Sequence, residues 1–172
     1  MFLILGLLAL PVAPARAQYS ADDRVKALFV YKLAKFIEWP GGVSGEPLSI
    51  GVAGSQFLGA ALEEAVKGKT INGRAIVVKQ LSGVQGVRDC QMVVISAVDR
   101  KRLLCILEAV RGASVLTVSD MDAFSSLGGV IQFKNTGTKV HFVVNLGAAG
   151  RAGLKISSKL LGLSEIIRSG GD

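Results

Sequence analysis

Apolar residues recur along the chain with two different periods, one typical of helices and one of strands. Between Ser20 and Pro40 they follow the i, i+3, i+4 spacing of one broad helical face. Asp23 lies three residues after Ser20, which fits a capping box, and Pro40 disfavours helical geometry at Trp39. We therefore predict a first helix that starts after Ser20 and stops near Glu38. Its apolar face consists of Val25, Leu28, Phe29, Leu33, Phe36 and Ile37.

After this helix, short apolar runs alternate with helical patterns. The runs are typical of buried strands, and Ser55 and Asp99 are suitable N-caps for two helices between them. A short helical turn is predicted at residues 122–127. Such alternation favours parallel strands with helices on both faces of the sheet. The predicted strands are Leu48–Ala53, Arg74–Leu81, Gln91–Ser96 and Ser114–Val118, and the helices are Phe57–Val66 and Arg100–Val110.

The end of the chain has a different pattern. Gly129–Lys134 and Thr138–Asn145 flank Asn135-Thr136-Gly137, a turn sequence suited to an antiparallel hairpin. Ala148–Ala152 is predicted to be helical. A last helix follows, capped by Ser157 or Ser158 and bearing Leu160, Leu161, Leu163, Ile166 and Ile167. The predicted fold is one compact α/β domain. Its mixed, mostly parallel sheet of about six strands is flanked by helices on both faces and followed by a hairpin and a helix.

The N-terminal sequence MFLILGLLALPVAPARAQ predicts an exported protein. An apolar run precedes Pro11, and Ala15-Arg16-Ala17 resembles a small-residue cleavage site. The run is too short to cross a membrane, which takes roughly 20 residues. We therefore predict a signal peptide at residues 1–17, cleaved near Ala17, and a mature domain at residues 18–172.

Charge and cysteines narrow the classes of partner. The formal net charge is +7, but the basic residues are scattered, and Arg100-Lys101-Arg102 is the only run of three. Without a cluster of basic and aromatic residues, nucleic-acid binding is not expected. Cys90 opens a predicted strand and Cys105 points away from the apolar face of the next helix. This placement disfavours a bridge between them and leaves an intermolecular disulfide or free thiols open.

Residues with catalytic potential do not form a recognisable site. Gly51-Val52-Ala53-Gly54 matches no phosphate-binding motif. Asp99 and Asp120 follow strands, where they are equally well explained as helix caps. His141 is the only histidine, and no zinc pattern surrounds the cysteines. We predict no catalytic residue, no metal, no cofactor and no enzymatic activity.

Four segments together resemble the YfiR family of periplasmic regulatory proteins. They are RVKALFVYKLAKFIEWP, NGRAIVVKQL, SVLTVSDMDAFSSLGGVIQF and VNLGAAGRAGLKISSKLLGLSEII. The resemblance implies a periplasmic protein that binds the periplasmic sensor region of an inner-membrane diguanylate cyclase and restrains cyclic di-GMP synthesis and biofilm formation. It also implies sequestration by an outer-membrane lipoprotein. The family is associated with homodimers and disulfides.

A regulator of this kind needs a binding surface, and the hairpin offers a candidate. We expect Ile131, Phe133, His141 and Val143 to share one strand face and to form an apolar strip for the partner at a sheet edge. The alternative is that helices cover both faces and the strip is core.

Two other functions stay open. One is a periplasmic small-molecule sensor or carrier, with a pocket near Gly54, Ser55, Ser96 and Asp120 at the carboxyl ends of the strands. The other is regulation of a different membrane receptor, such as a histidine kinase.

Overall fold

A computed structural model describes residues 19–41, 45–136 and 139–168, with the backbone alone for residues 135, 136 and 139. The predicted signal peptide at residues 1–17, Gly137 of the predicted turn and the extreme C-terminus lie outside the described residues. The helices are α1 (Ala21–Ala34), α2 (Gln56–Val66), α3 (Arg100–Ala109), α4 (Leu146–Arg151) and α5 (Ser158–Leu161). The strands are β1 (Ile37–Glu38), β2 (Leu48–Gly54), β3 (Thr70–Ile71), β4 (Arg74–Leu81), β5 (Met92–Ser96), β6 (Leu116–Ser119), β7 (Ile131–Thr136), β8 (Lys139–Asn145), β9 (Lys155–Ile156) and β10 (Ser164–Ile167).

The described strands form one mixed, mostly parallel sheet and a small ribbon. The sheet has eight strands in the order β10-β8-β7-β6-β5-β2-β4-β3, and β1 pairs with β9 in the ribbon. Strands β4, β2, β5, β6 and β7 are parallel to one another. Strand β3 is antiparallel to β4, β8 is antiparallel to β7, and β10 is parallel to β8. The predicted α/β class and the mixed sheet are confirmed, with more strands than the six expected.

Each face of the sheet has its own hydrophobic core. Helices α1 and α2 cover one face, where they bury residues such as Val30, Leu62 and Val94. Helix α3 covers part of the opposite face together with Phe124, which comes from the segment between β6 and β7. We call residues 120–130 the crossover segment and these two surfaces the α1 face and the α3 face. The crossover segment consists of turns and not of the predicted short helix.

The first helix differs from its prediction at one end and on one face. The capping box is present, because Asp23 N donates to Ser20 Oγ at 3.0 Å and Ser20 N donates to Asp23 Oδ2 at 3.0 Å. The helix ends at Ala34, however, and the following residues form β1. The buried side of the helix includes the small residues Ala27 and Ala34, which allow close packing on α2. Two residues of the predicted apolar face, Val25 and Leu28, are therefore exposed.

The predicted C-terminal helix is also wrong beyond its first turn. Helix α5 ends at Leu161, and Gly162 caps it. The chain then joins the sheet as β10, which pairs in parallel with β8. Sheet pairing therefore overrides the helical spacing of Leu160, Leu163 and Ile167. The four residues of β10 form backbone hydrogen bonds with β8 along one side of the strand.

Candidate partner-binding surface

The hairpin formed by β7 and β8 separates the four predicted partner-binding residues onto two faces. In its register Ile131 pairs with Val144, Phe133 with Phe142 and Lys134 with His141. Directly opposed residues lie on the same face, so Ile131 and Phe133 lie on the α1 face, whereas His141 and Val143 lie on the α3 face. The expectation that all four share one face is wrong.

Ile131 and Phe133 belong to the core. Ile131 is fully buried and Phe133 is 7% exposed. Phe29 of α1 packs against both strands of the hairpin, with its ring centroid 6.4 Å from that of Phe133 and 5.6 Å from that of Phe142. The rings of Phe133 and Phe142 are 5.4 Å apart. This aromatic cluster fixes α1 on the hairpin. Ile131 and Phe133 therefore follow the alternative expectation, in which the apolar strip is part of the core.

On the α3 face, His141 is the accessible member of the predicted set. His141 is exposed, whereas Val143 is buried. Lys134 Nζ lies 3.1 Å from Glu165 Oε2 of β10, so this ion pair bridges across β8 on the face that carries both residues. Partner binding by the four residues stays a prediction, and in the folded chain only His141 offers a partner an exposed side chain.

A buried polar network holds the crossover segment on the α3 face. Gln132 Oε1 accepts hydrogen bonds from Ser125 N at 3.1 Å and from Ser125 Oγ at 2.9 Å. Asn145 Nδ2 donates to Ser125 O at 2.8 Å, and Val130 N donates to Thr117 Oγ1 at 3.0 Å. These side chains are buried, so the network fixes the path of the segment as well as satisfying its backbone.

A groove of about 540 Å³ lies between the crossover segment and the outer strands of the sheet. Its lining includes Asp122 and Ser126 of the crossover segment and Gln132, Val143 and Ile167 of the sheet. Ile167 belongs to β10, which is an edge strand of the sheet. The groove therefore runs beside an edge of the sheet, next to the ion pair of Lys134 and Glu165.

At the carboxyl ends of the central strands, the crevice expected for a small-molecule pocket is closed. A Cβ atom at Gly54, whose φ is +100°, would overlap Ser96 O. Ser55 N donates to Ser96 O at 3.1 Å, which ties the two strand ends together. Ligands of open α/β sheets bind where adjacent connections diverge, and here backbone fills that space.

An ion pair covers the next part of the same edge. Lys26 Nζ of α1 lies 2.6 Å from Asp120 Oδ2 and 2.7 Å from Asp22 Oδ2. Burial lowers the pKa of Lys26, but hydrogen bonds and charge interactions with Asp120 and Asp22 outweigh it, so the pKa is raised above its ordinary value of 10.5. The sequence marked Asp120 as a strand-end acid. Its pairing with a residue on the first helix could not be read from local spacing.

Exposed apolar side chains on α1 provide a second candidate surface. Val25 and Leu28 are 44% and 45% exposed, and they lie about one helical turn apart on α1. A small cavity of about 140 Å³ beside Val25 is also lined by Phe29, Phe133 and Val140. We call Val25 and Leu28 the α1 ridge.

Both cysteines carry free thiols. Cys90 is buried just before β5, and its Sγ donates to Gly86 O at 3.4 Å. Burial, with a smaller contribution from Asp89 and partly offset by Lys79, raises the pKa of the Cys90 thiol. Cys105 is exposed on α3, on the side predicted from the helical spacing.

Within the described ranges, no three His, Cys, Asp or Glu residues are grouped in a way that could hold a metal ion. No helix among these residues has the length and apolar character required to cross a membrane.

These observations define a single α/β domain with an open, mostly parallel sheet. Its candidate functional features are surfaces and a groove at the hairpin end of the sheet. The chain belongs to the YfiR/HmsC-like family (DUF4154), whose family model matches residues 23–165. Membership of the family predicted from the sequence segments is thereby confirmed.

Two solved structures share the fold at low sequence identity. One is a conserved domain protein from Vibrio cholerae O1 biovar eltor, with a TM-score of 0.56, 12% identity and 83% of this chain covered. The other is an ABC domain from Streptococcus pneumonia in complex with L-Trp, with a TM-score of 0.54, 12% identity and 82% of this chain covered. This chain spans 60% of the length of each. No curated protein matches it.

Proposed function

We propose that this protein is a periplasmic negative regulator that binds the periplasmic sensor region of an inner-membrane diguanylate cyclase. By restraining cyclic di-GMP synthesis it would limit biofilm formation. The family match over residues 23–165 is the observation that carries the proposal. The proposal includes export through the signal peptide, a role without catalysis, and release of the cyclase when an outer-membrane lipoprotein sequesters the regulator. Homodimer formation also stays a prediction.

Restraint of the cyclase requires unequal affinity for its two states. A regulator that binds the inactive and active forms equally well shifts no population, however tightly it binds. The regulator must therefore contact a part of the sensor region that differs between the states. A rigid binding surface suits this task, and the aromatic cluster with the Lys26–Asp120 ion pair holds α1 firmly against the hairpin.

The accessible residues that we assign to partner binding are the α1 ridge and His141. Val25 and Leu28 present apolar area to solvent, and exposed apolar side chains in contiguous patches mark interaction sites. His141 lies at the other face of the same hairpin. Ile131, Phe133 and Val143 support these surfaces from within the fold and offer little area for direct contact.

The test has two parts, both with the mature chain starting at Gln18. The first is capture of a membrane protein with a diguanylate cyclase domain from detergent extracts of the source organism, identified by mass spectrometry. The second is cyclic di-GMP production by that cyclase in membrane vesicles with the regulator present in the lumen. We expect capture and reduced synthesis with the parent chain.

Surface variants separate the assignment of residues from the function itself. Leu28→Glu and His141→Ala are expected to fold normally and to weaken capture. Leu163 is exposed on the turn before β10, and Leu163→Glu is the matched control. This control should not weaken capture. If the parent chain captures no cyclase and leaves its synthesis unchanged, the proposed function is wrong. If capture survives both surface variants, the function stands and the interface lies elsewhere.

A further inference from the structure

The groove on the α3 face is lined by a hydrogen-bond donor group that no acceptor among the described residues uses. Gln132 is 3% exposed, and its Oε1 accepts from the backbone N–H of Ser125. A backbone N–H can only donate, so the amide must place its oxygen toward Ser125 and its Nε2 away from it. Gln132 Nε2 donates to no acceptor among the described residues. Among the described residues, Arg102 Nε is the only fully buried side-chain polar atom without a partner, so Gln132 Nε2 is open to the groove. It can therefore donate to a ligand with an acceptor oxygen.

A carboxylate at the wall of the groove is also without an ion-pair partner. Asp122 is exposed and forms no salt bridge within the described residues, whereas Glu165 is paired with Lys134 and Asp120 with Lys26. A positively charged group is the partner that Asp122 lacks. The neighbouring residue Ala123 has a left-handed φ of 58°, a conformation that is costly for alanine and concentrated at ligand-binding sites.

The floor of the groove is apolar and follows the direction of the outer strands. Val143 and Ile167 line it between the amide of Gln132 and the edge of the sheet. A long aliphatic side chain with a charged end can cover such a floor while its charge reaches a carboxylate at the wall. Lys134 does not favour an anionic ligand here, because Glu165 already neutralises it.

We propose that this groove binds an extended peptide segment that carries a lysine or arginine. A backbone carbonyl of the segment accepts from Gln132 Nε2, the aliphatic stem of the basic residue lies on Val143 and Ile167, and its charge pairs with Asp122. The identity of the protein that supplies the segment rests on the proposed function: it is the periplasmic region of the membrane partner.

The binding chemistry can be tested without that partner. The probe is N-acetyl-lysine N-methylamide, titrated into the ¹⁵N-labelled mature chain while the side-chain NH₂ signals of Gln132 are followed by NMR. Two further probes each lack one group: N-acetyl-norleucine N-methylamide has no charge, and pentylamine has no carbonyl. We expect saturable shifts of the Gln132 NH₂ signals with the capped lysine, and affinities about two- to fivefold weaker with each of the other two.

A matched pair of variants tests the carboxylate. Asp122→Asn should weaken binding of the capped lysine about two- to fivefold, because Asp122 is exposed. Glu108→Gln, an equally conservative change at an exposed acid on α3, should leave it unchanged. Absence of a saturable shift at Gln132, or equal binding of the capped norleucine, overturns the proposed site.

Capture of the cyclase distinguishes this inference from the proposed function. If the parent chain and Asp122→Asn capture the cyclase equally, the function stands and the groove is not where that partner binds. If Asp122→Asn loses both the capped lysine and the cyclase, the assignment of the segment to the partner is supported.

Discussion

The ion pair between Lys26 and Asp120 should contribute measurably to stability, because it joins α1 to the end of β6. Both side chains are 26% exposed, and the Lys26 Nζ to Asp120 Oδ2 distance is 2.6 Å. The perturbation is a double-mutant cycle made of Lys26→Met, Asp120→Asn and the double variant. Such a cycle isolates the coupling between the two side chains from their other contacts.

The degree of burial sets the expected magnitude. Exposed ion pairs contribute about 0–1 kcal/mol, whereas hydrogen bonds to charged groups contribute about 1.5–3 kcal/mol. A pair that is mostly buried but still reaches solvent should fall between them, so we expect a coupling free energy of about 1–2 kcal/mol. Asp22 remains close to Lys26 in Asp120→Asn and reduces the loss. For a chain of this size, Asp120→Asn should lower Tm by about 2–8 °C.

The pH dependence follows from the raised pKa of Lys26. The folded state holds the Lys26 proton more tightly than the unfolded chain does, so the pair's contribution is complete below the ordinary value of 10.5. It is lost as the pH rises through the folded-state pKa. The coupling should therefore be constant around neutral pH and should decrease only in strongly alkaline solution.

Urea unfolding followed by the fluorescence of Trp39, the only tryptophan, measures these free energies. The exposed pair of Glu108 and Arg111, whose side chains are 66% and 70% exposed, is the matched control. Its cycle should give about 0.5 kcal/mol or less. A Lys26–Asp120 coupling no larger than this control, or one that grows above pH 10.5, would refute the reasoning.

Two further predictions concern packing and thiol chemistry. Gly129→Ala should destabilise the fold by about 1–3 kcal/mol in the same urea assay, because its Cβ would overlap the buried ring of Phe124; Gly150→Ala, with open space around its Cβ, should be neutral or slightly stabilising. A chromogenic disulfide reagent should titrate Cys105 in the native chain and Cys90 only after unfolding, because Cys90 is buried and its thiol pKa is raised. Rapid reaction of both thiols in the native state would contradict this assignment, and an unchanged midpoint for Gly129→Ala would contradict the packing argument.

Local sequence signals predicted much of the fold. The capping box at Ser20, the apolar run of β2 and the β-branched run of β4 each specify an element through interactions within a few residues. Helices α2 and α3 begin where Ser55 and Asp99 were predicted to cap them. These signals are local, so they do not depend on how the elements are arranged in space.

The hairpin shows how a difference of one residue changed the predicted surface. A three-residue turn at 135–137 would pair Lys134 with Thr138 and would place odd-numbered residues of both strands on one face. The ladder instead pairs Thr136 with Lys139, leaving two residues between the strands. Odd-numbered residues of β7 then face the same way as even-numbered residues of β8, because a one-residue slip reverses every side chain. Ile131 and Phe133 consequently join Phe142 and Val144 in the core.

Contacts distant in sequence explain why the remaining candidate features were missed. Lys26 and Asp120 are 94 residues apart, and neither belongs to a local motif that indicates the other. Gln132 alternates with Ile131 and Phe133 in β7, so its position alone suggests a solvent-facing side chain. Only the return of the crossover segment over the sheet buries it, and the same return forms the groove in which its Nε2 is unused. The features that distinguish a binding surface from ordinary core here therefore arise from tertiary pairing, which the periodicity of single elements does not encode.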